Sequence, residues 1–157
     1  MNHFTPENFY CSLMALLIGR TELLKNRILD AHLAPYGLSA SQFKVLIIVT
    51  HFGTDTPSEL CRHLSLDSGS MTRMLDRLEQ KGLLRRTRSD VDRRQVRLAL
   101  TEDGQRLSGL FPEIGAASMN ELLGTLDNHE LNTLERILTK VLVAAEDPIT
   151  LARIAAK

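Results

Sequence analysis

Hydroxyl and guanidinium side chains recur in a short segment near the middle of the chain. They are Ser68, Ser70, Thr72, Arg73 and Arg77. In a helix these positions lie near the N-terminus or along one stripe of the surface. Arginine can donate two hydrogen bonds to guanine, serine and threonine can reach bases or phosphates, and a helix N-terminus attracts phosphate. The segment therefore suits contact with the major groove of duplex DNA.

A charged loop follows further along the chain and carries Asp92, Arg93 and Arg94. A basic loop beside a recognition helix can enter the adjacent minor groove, where arginine responds to groove width. Asp92 lies two residues before Arg94, so its carboxylate can hold that guanidinium extended. The alternatives are an exposed charged turn and, for the preceding segment, a solvated helix face on which arginines pair with acids, for example Arg73 with Asp76.

Charge is unevenly distributed along the chain. The 157 residues carry no formal net charge, yet residues 68–100 contain nine basic and four acidic residues, a net of +5, which leaves −5 on the remainder. A segregated positive field can hold a polyanion on one face of a protein. This asymmetry favours a nucleic-acid partner. A winged-helix module that binds another protein through the same basic face is the alternative from a different functional class.

Capping signals divide the middle of the chain into short helices. Residues 39–42 and 56–59 have the sequence pattern of capping boxes. Asp67 can cap a recognition helix over 68–81, which Gly82 then ends. Two short helices joined by a tight turn are typical of a helix-turn-helix.

Beyond this helix the period of the apolar residues changes from helical to two. Val96, Leu98 and Leu100 alternate with Arg97 and Ala99, which predicts a strand with one buried face. The segment 83–87 is its predicted partner. A hairpin directly after a helix-turn-helix indicates a winged helix-turn-helix, so the predicted fold is mainly α with a small β-hairpin wing.

Long helices are predicted on either side of this lobe. One helix is expected from Pro6 to Leu33, and the last long helix has apolar residues at the three- and four-residue intervals of a coiled-coil contact. These residues are Leu131, Leu134, Leu138, Val141 and Ala145. We expect one compact domain with N-terminal helix 1–36, lobe 37–101 including wing 83–100, and C-terminal helices 102–157.

Two motifs of the lobe resemble those of a known family. Residues 66–86 are similar to the recognition helix and first wing strand of MarR-type transcriptional regulators. Asp92-Arg93-Arg94, followed by residues 100–104, is similar to the wing and the strand-to-helix junction of that family. The flanking helices agree with the family in number and placement, so the resemblance extends loosely over nearly the whole chain.

The resemblance implies a homodimer whose first and last helices intertwine and which binds a short palindrome in double-stranded DNA. It implies contacts from the recognition helix and a contact from Arg94 that Asp92 steadies. The implied recognition-helix residues are Ser68, Ser70, Thr72, Arg73 and Arg77. Many relatives are repressors released by a small phenolic or lipophilic effector, bound between the dimer helices and the DNA-binding lobe. No ligand-contacting residue is carried over.

Cys11 raises an alternative mode of regulation. One branch of the family senses peroxide through a cysteine near the start of its first helix, held by tyrosines. The corresponding stretch here, residues 38–42, contains no tyrosine, and Cys11 lies about one turn too early in the sequence. Its apolar neighbours also lower its predicted reactivity. Thiol-based redox sensing at Cys11 is therefore the alternative to effector binding.

The other sequence features predict no catalytic centre, metal site or cofactor. The five histidines are scattered, Cys61 is expected in the core, and no catalytic motif surrounds any serine. No apolar run reaches the length that spans a bilayer, and the N-terminus lacks the pattern of a signal peptide. We therefore expect a cytoplasmic, non-enzymatic protein with two free thiols.

Overall fold

The computed structural model describes residues 3–9, 12–88 and 95–155. Helices and one hairpin follow each other in the order α1 (Pro6–Phe9), α2 (Met14–Leu33), a 3-10 turn (Ala34–Tyr36), α3 (Ala40–His51), α4 (Pro57–Leu64), α5 (Ser68–Gln80), β1 (Leu84–Arg88), β2 (Val96–Leu100), α6 (Glu102–Ser108), α7 (Phe111–Leu123), α8 (Asn128–Ala144) and α9 (Pro148–Ala155). The predicted fold class, mainly α with a hairpin wing, is confirmed. The predicted site residues Cys11, Asp92, Arg93 and Arg94 lie outside the described residues.

The single first helix predicted from Pro6 to Leu33 is wrong. α1 ends at Phe9 and α2 begins only at Met14. The backbone N–H of Ser12 donates to the Phe9 carbonyl at 3.2 Å, and the Ser12 hydroxyl accepts the Met14 N–H at 3.3 Å. Such local side-chain bonds to the backbone compete with a continuous helix. The helical spacing of apolar residues therefore continues from α1 to α2, although the helix itself is interrupted between them.

The helix-turn-helix forms as its capping residues predict. Thr56 caps α4 by accepting the Glu59 N–H, and Asp67 caps α5 by accepting the Ser70 N–H at 2.8 Å. The turn between them bends at Ser65, whose φ of 51° lies in the left-handed region. The Leu66 N–H returns to the Cys61 carbonyl at 3.1 Å, which closes the end of α4.

The wing is an antiparallel pair in which Leu84 lies opposite Leu100 and Arg88 lies opposite Val96. β1 begins one residue later than predicted because the Leu83 N–H donates to the Leu78 carbonyl at 3.1 Å and still belongs to the turn that ends α5. On the other side, the Leu98 N–H donates to the Asp55 carbonyl at 2.7 Å. The hairpin is therefore tied to the segment between α3 and α4.

One apolar core holds these elements together. Its fully buried side chains come from the end of α2, from α3, α4, α5 and β1: Leu33, Val45, Leu46, Leu60, Met71, Leu75, Leu78 and Leu84. Phe111 of α7 joins them, with its ring 4.7 Å from that of Phe43 in an edge-to-face contact. The core therefore fixes the face that α5 turns inward and the face that it leaves to solvent.

The terminal helices carry apolar side chains that this core does not cover. α8 begins at a capping box formed by Asp127 and Glu130, yet it has no buried residue. Val141 is 60% exposed and, on α2, Ile18 is 61% exposed. Isolated exposed apolar residues are ordinary, but contiguous ones mark a contact surface.

Among the described residues, no single helix is long and apolar enough to cross a membrane. α2 with its 3-10 turn and α3 satisfy the criteria of length and composition only when taken together, although they are bent by 80° relative to each other.

Candidate nucleic-acid interface

Helix α5 has one buried face and one polar face. Met71, Leu75 and Leu78 are at most 1% exposed, because they pack into the core beneath the helix. Arg73 and Arg77 are exposed, and their spacing of four residues places both on one side of the helix. The apolar stripe therefore decides which hydrogen-bonding groups face outward.

A chain of hydrogen bonds organises the N-terminus of α5. The Ser70 hydroxyl donates to the Asp67 carboxylate at 2.7 Å, and the Arg73 guanidinium donates to the Ser70 hydroxyl at 3.0 Å. The hydrogen bonds from the Ser70 side chain and backbone lower the pKa of Asp67 below its ordinary value. The Ser70 hydroxyl thus accepts a hydrogen bond from Arg73 in the free protein. Ser68 is exposed at the first position of the helix.

Thr72 and Arg77 complete the predicted set on α5. The Thr72 hydroxyl donates to the Ser68 carbonyl at 2.8 Å, the local bond expected of a threonine within a helix. Both residues are exposed. Within the described ranges Arg77 forms no ion pair with an acid, so its guanidinium is available to an external anion.

Arg86, which the sequence reasoning did not single out, ties the wing to α5. Its guanidinium pairs with Asp76 at 2.6 Å and with Glu79 at 2.5 Å. The alternative pairing of Arg73 with Asp76 is wrong, since Asp76 is engaged by Arg86. A signal was present: the period of two in β1 places Arg86 on the same face as buried Leu84.

Other basic residues of the segment 68–100 are also engaged in the fold. Arg97 pairs with Asp55 at 2.5 Å, and the Lys81 ammonium donates to the Gly37 carbonyl at 2.6 Å. Arg85 and Arg88 are exposed and have no acidic partner in the part of the chain that the structure describes. Among the described residues of this segment, the basic side chains bound to neither a carboxylate nor a backbone carbonyl are therefore fewer than the count of arginines suggests, and they lie on α5 and along β1.

The wing residues predicted to enter a minor groove belong to the connection between the two strands of the hairpin. β1 ends at Arg88 and β2 begins at Val96, and Asp92, Arg93 and Arg94 belong to the connection outside the described residues. Their contact with DNA and the pairing of Asp92 with Arg94 stay predictions.

A second feature is an open cleft of about 900 Å³ between the end of α3 and the helices α7, α8 and α9. Its walls are mainly apolar and include Phe52, Met119, Leu138 and Ile154, with Arg153 at the tail helix. In the described ranges no three histidine, cysteine or acidic side chains cluster as metal ligands. Cys61, expected in the core, is half-buried and packs against it as a free thiol.

Comparison with known proteins places this geometry in context. Residues 38–96 match the model of the MarR family. The multiple antibiotic resistance protein MarR of Salmonella typhimurium is 40% identical over 127 residues, which cover 80% of this chain and 88% of that protein. MarR of Escherichia coli is 39% identical over 127 residues, with the same 80% and 88% covered.

Solved structures show the same arrangement. The crystal structure of a cysteine-to-serine mutant of Escherichia coli MarR complexed with operator DNA superposes with a TM-score of 0.76 at 36% identity. The match covers 88% of this chain and 99% of that one. The similarity therefore extends from the lobe into the flanking helices.

Proposed function

The chain belongs to the MarR family, and from this premise we propose that it is a dimeric transcriptional repressor that binds palindromic DNA and is released by a small effector. Family members are DNA-binding regulators of transcription rather than enzymes. We extend this to a cytoplasmic protein without catalytic activity. The lobe 37–101 would bind DNA, and the helices within 1–36 and 102–157 would form the dimer.

The observation that carries the proposal is the polar face of α5. Its inner stripe is buried, its N-terminus is capped by Asp67, and Thr72, Arg73 and Arg77 are left facing solvent. We assign base contacts to Thr72 and Arg73, and phosphate or base contacts to Ser68, Ser70 and Arg77. Arg93 and Arg94 would contact the flanking minor groove, and Asp92 would hold the Arg94 guanidinium extended towards it.

Apolar side chains on the terminal helices support a dimer. MarR proteins are dimers, and α2 and α8 both present apolar residues to solvent in the single chain. Two copies would cover these residues and hold two α5 helices at the separation of successive major grooves. A palindromic operator would then mirror the twofold axis of the protein.

The cleft beside α8 is the best candidate for the effector site. It lies between the lobe, through Ile47 and Phe52, and the C-terminal helices, through Leu134 and Leu138. Apolar walls with a few polar groups suit a phenolic or lipophilic molecule. Such a molecule would weaken DNA binding by preferring a lobe spacing that does not fit the duplex, with a coupling of ~1–3 kcal/mol.

Salt-dependent binding to selected duplexes tests the proposal. Wild-type protein is used to select tight binders from a duplex library with a randomised core, and the affinity is measured against salt. A steep loss with salt is expected, because neutralised phosphates release counterions. A weak salt slope and no selected sequence would contradict the proposal and favour the protein-interaction module instead.

Arg73→Ala then tests the assignment within α5. We expect a loss of roughly 1–3 kcal/mol and relaxed preference at one base position. Arg106→Ala, at an exposed arginine on α6, is the matched control and should leave base preference unchanged. Equal weakening on all duplexes would reassign Arg73 to a phosphate contact.

Redox regulation through Cys11 requires a separate measurement. Peroxide treatment should release DNA from the wild type but not from Cys11→Ser if this cysteine is a sensor. Equal DNA binding by both proteins after treatment would leave effector binding as the mode of release.

A further inference from the structure

Arg86 joins the wing to the recognition helix through several hydrogen bonds at once. Its guanidinium donates to Asp76 at 2.6 Å, to Glu79 at 2.5 Å and to the Thr72 carbonyl at 3.2 Å. Its backbone N–H donates to the second carboxylate oxygen of Glu79 at 2.8 Å. One residue of β1 therefore contacts three positions along α5.

This arginine differs from its neighbours in orientation. The side chain of Arg86 is 27% exposed and directs its donors at the protein, whereas Arg85 and Arg88 are exposed. Three hydrogen bonds from this guanidinium go to the protein, and the two carboxylates among the acceptors offset its positive charge, so it attracts a phosphate less than an unpaired arginine does. Arg86 is therefore not a candidate for direct DNA contact.

The contacts of Arg86 lie where the geometry of DNA binding is set. Thr72 belongs to the same helical turn as Arg73, the residue proposed to read a base. β1 ends at Arg88, only two residues beyond Arg86, where the wing connection starts. At the other end of β1, the apolar contacts of Leu84 hold the strand against the core. Arg86 thus fixes the outer part of the strand relative to α5.

We propose that Arg86 is a positioning residue for sequence-specific DNA binding, which sets the orientation of α5 relative to the wing so that both engage one duplex together. This inference rests on the proposed DNA-binding function. Because phosphate contacts tolerate small displacements better than paired base contacts do, loss of the contacts between Arg86 and α5 lowers specific affinity and leaves non-specific affinity intact.

Arg86→Lys separates geometry from charge, because lysine keeps the positive charge and loses the planar fork. The probes are the duplex that the wild type selects from the randomised library and a random-sequence duplex of equal length. We expect affinity for the selected duplex to fall about tenfold, the equivalent of roughly one base contact. Affinity for the random duplex and the salt slope should stay unchanged.

Coupling to Arg73 distinguishes positioning from general stability. If Arg86 acts through α5, Arg86→Lys should cost little on the selected duplex once Arg73→Ala is present. Arg106→Lys, at an exposed arginine of α6 that pairs with Asp103, is the matched control and should keep the ratio of selected to random affinity. A ratio that Arg86→Lys leaves unchanged, or effects that are additive with Arg73→Ala, would overturn the proposal.

Two further variants keep the test decisive if Arg86→Lys unfolds. Asp76→Asn and Glu79→Gln each remove one acceptor while Arg86 remains, and both should lower the same affinity ratio at an unchanged melting temperature. An equal loss of affinity for both duplexes would show that Arg86 and its two acidic partners act through electrostatics or folding, and it would contradict the positioning role. Failure of the wild type to select any duplex would instead refute the proposed function itself.

Discussion

The DNA-binding lobe and the terminal helices use apolar residues in opposite ways. In the lobe, Leu46 and Leu60 are completely buried, and the stripe of α5 is nearly so. On α8, no residue is buried, and on α2 only the last turns reach the core. The lobe therefore completes its core within one chain, whereas the terminal helices present an apolar surface that one chain leaves uncovered.

This difference separates two levels of folding. A helix with buried apolar residues on one face is stabilised by its own chain. A capped helix with exposed apolar residues needs a second surface to gain the same stabilisation. We therefore expect the lobe to respond to substitution as a monomer does, and α8 to respond as part of an interface.

The largest effect is expected when charge is introduced into α8. Ile137→Asp combined with Val141→Asp, both at exposed apolar positions outside the cleft, should yield a folded monomer, because carboxylates oppose apolar association. DNA affinity should fall by ~10²–10⁴-fold, because the two lobes no longer bind as a linked pair. Analytical ultracentrifugation gives the oligomeric state, and titration with the selected duplex gives the affinity.

Asn132→Asp is the control for this experiment. It adds a carboxylate to the same helix at an exposed polar position, so the dimer should persist. A double variant that stays dimeric and keeps its DNA affinity would show that α8 does not form the interface.

A second prediction compares leucines of the two regions directly. Leu46→Ala in the lobe should lower the free energy of unfolding by about 2–5 kcal/mol, since its fully buried side chain leaves a cavity. Leu142→Ala on α8, at a position 42% exposed in one chain, should act through association instead.

Urea unfolding at several protein concentrations tests this difference. The cost of Leu46→Ala should be the same at every concentration when compared with wild type, whereas Leu142→Ala should make the midpoint more sensitive to dilution. Identical concentration dependence for the two variants would contradict the division between lobe and interface.

The same division explains how much the sequence could predict. Caps at Ser39, Asp67 and Asp127 and the strand β2 were predicted from local signals, and each is confirmed in the structure. The fully buried face predicted for β2 is wrong, because Leu98 is buried but Val96 is 39% exposed. The break before Met14 was missed, because a hydroxyl bond to the backbone leaves no mark on apolar periodicity. The ion pairs of Arg86 were missed because Glu79 and Asp76 lie seven and ten residues away in the sequence, on a different element.

Site residues divide in the same way. The outward position of Arg73 and Arg77 followed from the apolar stripe of α5, since one face of a helix determines the other. The sequence did not show which basic residues remain without a partner in the fold. Arg97 and Lys81 each bind a group that lies far away in the sequence. Tertiary contacts therefore select the interface from a larger set of basic residues.

Gly104→Ala is expected to have an intermediate effect within the lobe. A Cβ at this position would lie 2.0 Å from the Leu83 carbonyl oxygen, so α6 or the turn after α5 must move. We expect a loss of about 1–3 kcal/mol in unfolding free energy. Gly115→Ala on α7 is the control, because a Cβ there meets nothing within 4 Å, and it should stabilise the helix by about 0.5–1 kcal/mol. Thermal unfolding that ranks the two variants in the reverse order would contradict this packing.

The smallest effect is expected at Glu22, which links the two regions by pairing α2 with Lys44 of α3 at 3.2 Å. Partial burial raises the pKa of Glu22, but hydrogen bonds from Lys25, Asn26 and Lys44 outweigh it and lower the pKa to about 2. A carboxyl with a lowered pKa in the folded state stabilises the protein above its ordinary value of 4.5 and loses that contribution as the pH falls towards 2. Because the side chain is 48% exposed, we expect the stability that Glu22→Gln removes near neutral pH to be under about 1 kcal/mol. Urea unfolding from neutral pH to pH 2, at fixed protein concentration, should show the two proteins converge below pH 4.5. In a cycle with Lys44→Met, a coupling that persists at the acid end of the range would show that the carboxylate is not the source of the link.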